Sequence, residues 1–330
     1  MKSAKLINGK VENIDVQKPA LNGSKGAIIK VLGCGLCGSD LVKIKHSNKD
    51  TESKIILGHE VVGVIEQINS DTDDLKVGDT VALGHHYACG DCEFCKNGST
   101  SMCKTFKNSN IFPSGFSQYI KVDNNHLKKT VYKMSDELKD DEKAFLEPLA
   151  CCIRAIRRAG FVFEDKSKNS DFSALVVGLG SIGFLMLKAL KNFGVSAYGF
   201  DISKERTDFV LKDGFSFDDK KKYDVIFLTA GSSKAIKTAL DCVIDGGKII
   251  VFSSVEDDLC GFSNNEIYYR ELSIISSYSP DWSDLKLSAY FLNNRLVNPS
   301  GWSTYYSLDN LAQAIDDSFK SRIFKAYIKI

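Results

Sequence analysis

The sequence has no surplus of either charge, no long apolar run and no internal repeat. Its 43 basic and 42 acidic residues leave a formal net charge of +1, so nothing electrostatic points to nucleic acid or an anionic membrane as a partner. No apolar stretch approaches the roughly 18–20 residues needed to cross a bilayer. The opening "MKSAKLINGKVENIDV" lacks the apolar core of a secretory signal. Low-complexity tracts are missing as well. The chain reads as soluble and cytoplasmic. Thiols stay reduced there, so a cysteine cluster indicates a metal site before a disulfide framework.

What is present is enough for two cores. The 330 residues are 43% hydrophobic, and single cores rarely grow past about 250–300 residues. Up to about residue 148, short β-type runs alternate with glycine-punctuated turns: "AIIKVLG" (27–33), "EVVGVIEQIN" (60–69), "DTVALG" (79–84) and "FSQYIKV" (116–122). Residues 141–160 then show helical spacing through Phe145, Leu149, Cys152, Ile153 and Ile156. A polar loop, "EDKSKNSD" (164–171), follows. Beyond it strands and helices alternate to "KIIVFSSV", the pattern of a parallel sheet with helices on its faces. A helix at 308–321 and a strand "KAYIKI" close the chain.

Within the second part, "ALVVGLGSIGFLMLKAL" sets Gly178, Gly180 and Gly183 in the G-x-G-x-x-G spacing, with Ser181 and Ile182 between them. The first glycine permits a tight turn. The second admits a pyrophosphate, and the third lets helix pack on strand. The next strand, "SAYGFD", ends in Asp201, where a carboxylate accepts hydrogen bonds from ribose hydroxyls and repels a 2′-phosphate. NAD is therefore favoured. Lys204 and Arg206 stand close enough in sequence to keep NADP open.

Four of the ten cysteines, Cys89, Cys92, Cys95 and Cys103, fall within fifteen residues. Four thiolates from one loop can close a tetrahedron around Zn²⁺ and leave no open position for chemistry. An iron–sulfur cluster is the rival, but the ferredoxin run ends in Cys-Pro after three residues and this one does not. Elsewhere "GLCGSD" supplies Cys37, Ser39 and Asp40, and "LGHEVVGV" supplies His59 and Glu60. Thiolate, imidazole and carboxylate together suit a catalytic zinc with a position left for substrate. Singly, each residue also fits a structural role. "CGLC" (34–37) mimics a redox motif but lacks the strand-then-helix setting that motif needs.

In order along the chain, "GLCGSD", "GHEVVGVIEQ", "KVGDTVAL", the four-cysteine lobe, "GFSQYIKV", "EPLACCIRA", "VVGLGSIG" and "DGGKIIVFSS" resemble the zinc-dependent medium-chain dehydrogenases/reductases. The polyol (sorbitol) and threonine dehydrogenase branch is nearest. The resemblance implies an α/β fold in which a GroES-like β-rich catalytic domain, 1–148 plus 290–330, carries an inserted Rossmann domain, 149–289. It places a structural zinc lobe at about 85–107 and the active site between the domains. It makes Cys37 and His59 ligands of a catalytic zinc and puts Glu60 at the zinc or directly behind a ligand. Glu147 of "EPL" becomes a carboxylate that meets zinc directly or through water. Ser39 becomes the hydroxyl that passes the substrate proton toward solvent. Two zinc ions per chain follow, with Gly178, Gly180, Ser181, Ile182, Gly183, Asp201 and Arg206 at the nucleotide.

The chain departs from the family in two places. The histidine that often follows "CGSD" is missing from "CGSDLVK", and His46 is too far along to replace it. Only 22 residues separate Asp201 from Asp224, so the third Rossmann strand and its helix must be abbreviated, with "FSFDD" (215–219) the candidate strand. The implied substrate is a polyol or sugar-derived secondary alcohol and its ketone, with a phosphorylated or nucleotide-linked form as a variant. His85, His86 and Tyr87 form either a polar pocket wall or a surface turn. Lys104, Lys107, Arg154, Arg157 and Arg158 either meet a phosphate or face solvent. The family also implies a homodimer or homotetramer joined through a sheet edge, for which "ELSIISSYS" (271–279) is the candidate. Two rivals are a non-enzymatic zinc- or NAD-binding protein on this fold and a zinc-free quinone reductase. The second predicts loss of both metal sets.

Overall fold

The computed structural model describes residues 1–48, 52, 55–71, 74–218, 220–254 and 261–330. The chain divides into two compact units, Met1–Ala150 with Pro280–Ile330, and Cys151–Ser279.

The first unit is built on a mostly antiparallel sheet, with Ser303–Ser307 parallel to Lys325–Lys329, whose alternating side chains fill one core. Among the described residues its sheet runs Ser303–Ser307, Lys325–Lys329, Gly26–Gly35, Glu60–Asn69, Thr80–Leu83, Val131–Lys133, with Tyr119–Asp123 also paired to Gly26–Gly35. Ile29, Val31, Val61, Ile65, Val81, Phe116, Ile120 and Ile328 are buried there, each contributing about 1.5–3 kcal/mol. Two registers matter for the site. Gly35 pairs with Glu60, and Tyr327 pairs with Gly35 on its other side. The last strand, joined to the first ones only through the fold, thus delivers Lys325 beside Glu60.

The second unit holds a parallel sheet ordered Ser273–Ser276, Val243–Val251, Tyr223–Leu228, Ser173–Val177, Ser196–Phe200. Ser173–Val177 is buried along its length, as a central strand with helices on both faces must be. Ser273–Ser276, inside the candidate edge segment, does lie at the end of the sheet.

Three features differ from the sequence pattern. The helical spacing at 141–160 resolves into Asp140–Lys143 and Leu146–Arg158, with Pro148 tolerated in the first turn of the second helix, where an N–H has no intrahelical partner. No strand forms at 215–218. A single bridge, Tyr198 to Ser216, and a Gly199 N–H to Ser216 carbonyl bond of 3.0 Å are all that add to Ser196–Phe200. Residue 219 lies outside the described residues. Only ten residues lie between helix Lys204–Lys212 and Tyr223, too few for a further strand and a crossover of its own. Finally, the resemblance carries the nucleotide domain to residue 289, whereas helix Trp282–Asn293 falls in the first unit. Ser288 Oγ donates to the Leu146 carbonyl at 2.7 Å, and Tyr132 Oη to the Trp282 carbonyl at 2.8 Å. Among the described residues no helix is long and apolar enough to cross a membrane.

Candidate active site and metal lobe

Cys37 caps helix Gly38–Lys45. Its Sγ accepts from the Ser39 N–H at 3.5 Å, and its own N–H donates to Asp40 Oδ2 at 3.3 Å. Gly58, at φ +74°, turns the chain so that His59 and Glu60 enter the sheet facing this cap. Asp40 is fully buried and ties the pieces together. Its Oδ1 accepts from the Gly58 N–H at 3.1 Å and lies 3.5 Å from His59 Nδ1. Burial works against the Asp40 charge, but His59, Lys43 and the Gly58 N–H outweigh it and hold its carboxyl below the ordinary range. Burial likewise opposes a charged His59, yet Asp40 and Cys37 raise the imidazole well above its usual value. Ser39 Oγ stands 3.5 Å from His59 Nε2.

The ligating atoms of Cys37, His59 and Glu60 lie within 4.8 Å of one another. Glu60 is also held by Lys325, whose Nζ donates to Oε1 at 2.6 Å. Nζ is 2.5 Å from Oε2 as well, close in charge but not directed for a hydrogen bond, so Oε2 remains buried without one. Both residues are buried. Burial opposes the Lys325 charge, but Glu60, Cys37 and Glu147 raise its pKa. Gly35 makes the arrangement possible, because a Cβ there would collide with Glu60 Oε2. Glu147, buried at the start of helix Leu146–Arg158, is outside the three-residue set and acts on the Lys325 charge. A soft sulfur, an imidazole nitrogen and a carboxylate oxygen without a hydrogen bond fit a zinc-like cation.

His85 extends the site. Its ring lies 4.6 Å from that of His59 and 4.0 Å from that of His86, centroid to centroid. Burial, then the neighbouring charges, push His85 well below the ordinary histidine range, and burial brings His86 down to about 4. Both imidazoles are therefore neutral at pH 7. Arg158 is engaged elsewhere, donating to the Ser276 carbonyl at 2.5 Å.

The four cysteines of the lobe come together. Sulfur separations are 3.5 Å for Cys92–Cys95, 3.5 Å for Cys89–Cys103 and 3.8 Å for Cys89–Cys95. The edge of a tetrahedron with metal–sulfur bonds of about 2.3 Å is about 3.8 Å, and a disulfide would be about 2.05 Å. Backbone N–H groups of Cys89, Gly90 and Cys92 donate to Sγ of Cys103, Cys95 and Cys89, each at 3.4 Å.

In the second unit, Gly178 sits at φ +103°, and a Cβ on Gly183 would strike the Gly178 carbonyl. A Cβ on Gly180 meets nothing within 4 Å, which leaves a cradle at the start of helix Ser181–Asn192. Asp201 anchors this turn, accepting from Leu179 N–H at 2.7 Å and Ser203 N–H at 2.8 Å, with Arg206 Nη1 3.6 Å away.

Residues 23–134 match the alcohol dehydrogenase GroES-like domain. Sorbitol dehydrogenase of Bacillus subtilis is 29% identical over 276 residues, 76% of this chain and 74% of that protein. D-arabitol-phosphate dehydrogenase of Enterococcus avium is 23% identical over 337 residues, 96% and 93% of the two chains. The fold superposes on galactitol-1-phosphate dehydrogenase from Escherichia coli with a TM-score of 0.82, 22% identity and complete coverage of both chains. The domain match and these relatives support the zinc-type medium-chain dehydrogenase/reductase resemblance. It is thus placed among the oxidoreductases. At the two clusters, Lys325 and Lys129 lie outside the motifs quoted above, and Asp40, though part of "GLCGSD", was given no role there. Asp40 was within reach of the sequence, as an acid three residues past a cysteine cap. Lys325 and Lys129 depend on contacts that no local pattern encodes.

Proposed function

We propose that the protein is a zinc- and nicotinamide-dependent polyol dehydrogenase. It interconverts a polyol or sugar-derived secondary alcohol and its ketone, with hydride passing from the carbinol carbon to NAD⁺ and a proton to solvent. The observation that carries this reading is the convergence of Cys37, His59 and Glu60 on one point, in a chain that also holds an open glycine turn anchored by an acid. A zinc ion held by Cys37 and His59, with Glu60 or Glu147, supplies Lewis acidity toward an alcohol or carbonyl oxygen. Asp40 orients His59. Ser39, beside His59 Nε2, takes the hydroxyl proton outward. Lys325 neutralises Glu60 and so limits the negative charge around the cation. A second zinc belongs to the cysteine lobe. A non-enzymatic binding protein has no use for Cys37, Ser39, His59, Glu60 and Glu147 together.

The relatives bear on substrate class. Sorbitol dehydrogenase is named for a free polyol, and the arabitol and galactitol enzymes for phosphorylated ones. A phosphorylated polyol is accordingly the second reading. The test is oxidation of NADH and NADPH against ketoses offered free, phosphorylated and nucleotide-linked. Strong turnover of one class is expected. Silence across the panel, with zinc shown to be bound, would overturn the reading in favour of a non-enzymatic role.

Cofactor choice rests on Asp201. On this reading its carboxylate meets the ribose hydroxyls and repels a 2′-phosphate, while Arg206, 3.6 Å from it, attracts one. Asp201→Ala is expected to raise the NADP-to-NAD ratio of kcat/KM about tenfold, or ~1.4 kcal/mol of discrimination. The loss of its bond to the Leu179 N–H lowers both values, so the ratio is the quantity to read. An unchanged ratio removes Asp201 from the ribose site.

A further inference from the structure

The cysteine lobe has a cation that none of its motifs announces. Lys129 ends helix Asn124–Lys129, and its Nζ donates to two consecutive carbonyls, Ala88 at 2.7 Å and Cys89 at 2.8 Å. The same ammonium lies over the rings of Trp282, at 5.4 Å, and Tyr87, at 5.9 Å. Trp282, like Cys89, Cys92 and Cys95, packs on the buried trio Ala88, Cys103 and Phe106. The ammonium therefore sits under an aromatic cover against the lobe.

The two carbonyls belong to the two peptide groups that matter most. The peptide joining Ala88 to Cys89 presents its N–H to Cys103 Sγ, and the peptide joining Cys89 to Gly90 presents its N–H to Cys95 Sγ, both at 3.4 Å. One cation thus pulls on the oxygen end of both peptides while their nitrogen ends donate to two of the four sulfurs. Hydrogen bonds in such a chain polarise one another, and a charged donor at its head roughly doubles the strength of a link. Four thiolates around a divalent cation carry a net charge of −2, so a cation coupled to the sulfurs favours the loaded state.

We propose that Lys129 is the counter-charge of the cysteine lobe, acting through the 88–89 and 89–90 peptides on Cys103 and Cys95 to hold the metal. It is a positioning residue and touches neither metal nor substrate. The proposal rests on the reading that the four cysteines bind a metal.

The test compares Lys129→Met, Lys129→Gln and Lys129→Arg in the full chain. Zinc release to a chelator and the sulfur-to-metal charge-transfer bands of the cobalt-substituted protein are both read. Outer groups of this kind typically govern metal affinity by about 10–100-fold. Lys129→Met and Lys129→Gln are expected to release the lobe metal about tenfold faster and to move the bands to lower energy, as less polarised sulfurs donate charge more readily. Lys129→Arg is expected to stay near wild type. If Lys129→Met does not fold, Lys129→Gln, which keeps a donor but no charge, carries the comparison. Wild-type release and unshifted bands in Lys129→Gln would overturn the counter-charge role and leave only a tether. A wild-type lobe that takes up no metal would instead overturn the reading beneath it.

Discussion

Replacing Cys37 by serine is expected to reduce turnover at least about a thousandfold, or ~4 kcal/mol of barrier, while the chain keeps its fold and the metal of its cysteine lobe. The thiol occupies the cap of helix Gly38–Lys45, where the Ser39 N–H points at the sulfur. A serine hydroxyl can cap the same helix, so the backbone is conserved. It cannot serve as an anionic soft ligand at neutral pH, which leaves His59 and Glu60 as the remaining close donors of the set. Glu60 is already neutralised by Lys325, so it cannot compensate for the lost charge. The measurements are turnover, metal content and circular dichroism on the same preparation. Undiminished activity removes Cys37 from the chemistry. Loss of both metals together with the fold would make it a structural residue.

How far the sequence reveals this site depends on the distance over which each contact is made. The glycine turn is legible because each glycine answers a local steric demand: the Gly178 backbone at positive φ, and a Gly183 Cβ that would hit the Gly178 carbonyl. The lobe is legible because its four sulfurs come from one loop. Cys37 and His59 are legible as motifs, although only the fold brings them together through Asp40. Lys325 is not legible. It meets Glu60 across 265 residues, through the pairing of the last strand with Gly26–Gly35. Nothing in "FKAYIKI" distinguishes its first lysine from the next. His85 is half legible: its residue type signals a polar wall or a surface turn, and only the packing against His59 selects the wall. The missing third strand was visible as a shortage of residues. Its replacement by a single bridge at Ser216 was not, because one backbone pair leaves no periodicity. Helix Trp282–Asn293 has the same helical pattern whichever unit it packs on, so its assignment waits for Ser288 and Tyr132 to find their partners.

Cys95→Ser is expected to lower the thermal midpoint by about 6–12 °C, with loss of the lobe metal preceding any loss of chemistry. The lobe has little else to hold it. Its buried cluster is Ala88, Cys103 and Phe106, with Trp282 packed against it, so burial contributes a few kcal/mol at most. Ordering the backbone costs about 1–2 kcal/mol per residue, and the loop from Cys89 to Cys103 far exceeds that return. Structural zinc sites contribute on the order of 10–16 kcal/mol of folding free energy, shared among four ligands, so one thiolate accounts for roughly 3 kcal/mol. In a domain of this size each kcal/mol moves the midpoint by about 2–4 °C. Cys95 is the sensitive choice because its sulfur is near both Cys89 and Cys92 and accepts the Gly90 N–H. Differential scanning calorimetry with metal analysis reads the result. A Cys95→Ser chain that melts with wild-type chain while lacking the lobe metal would show that the fold holds this loop without a metal. The four sulfurs, drawn to within 4.8 Å of one another, would then need another reason to converge.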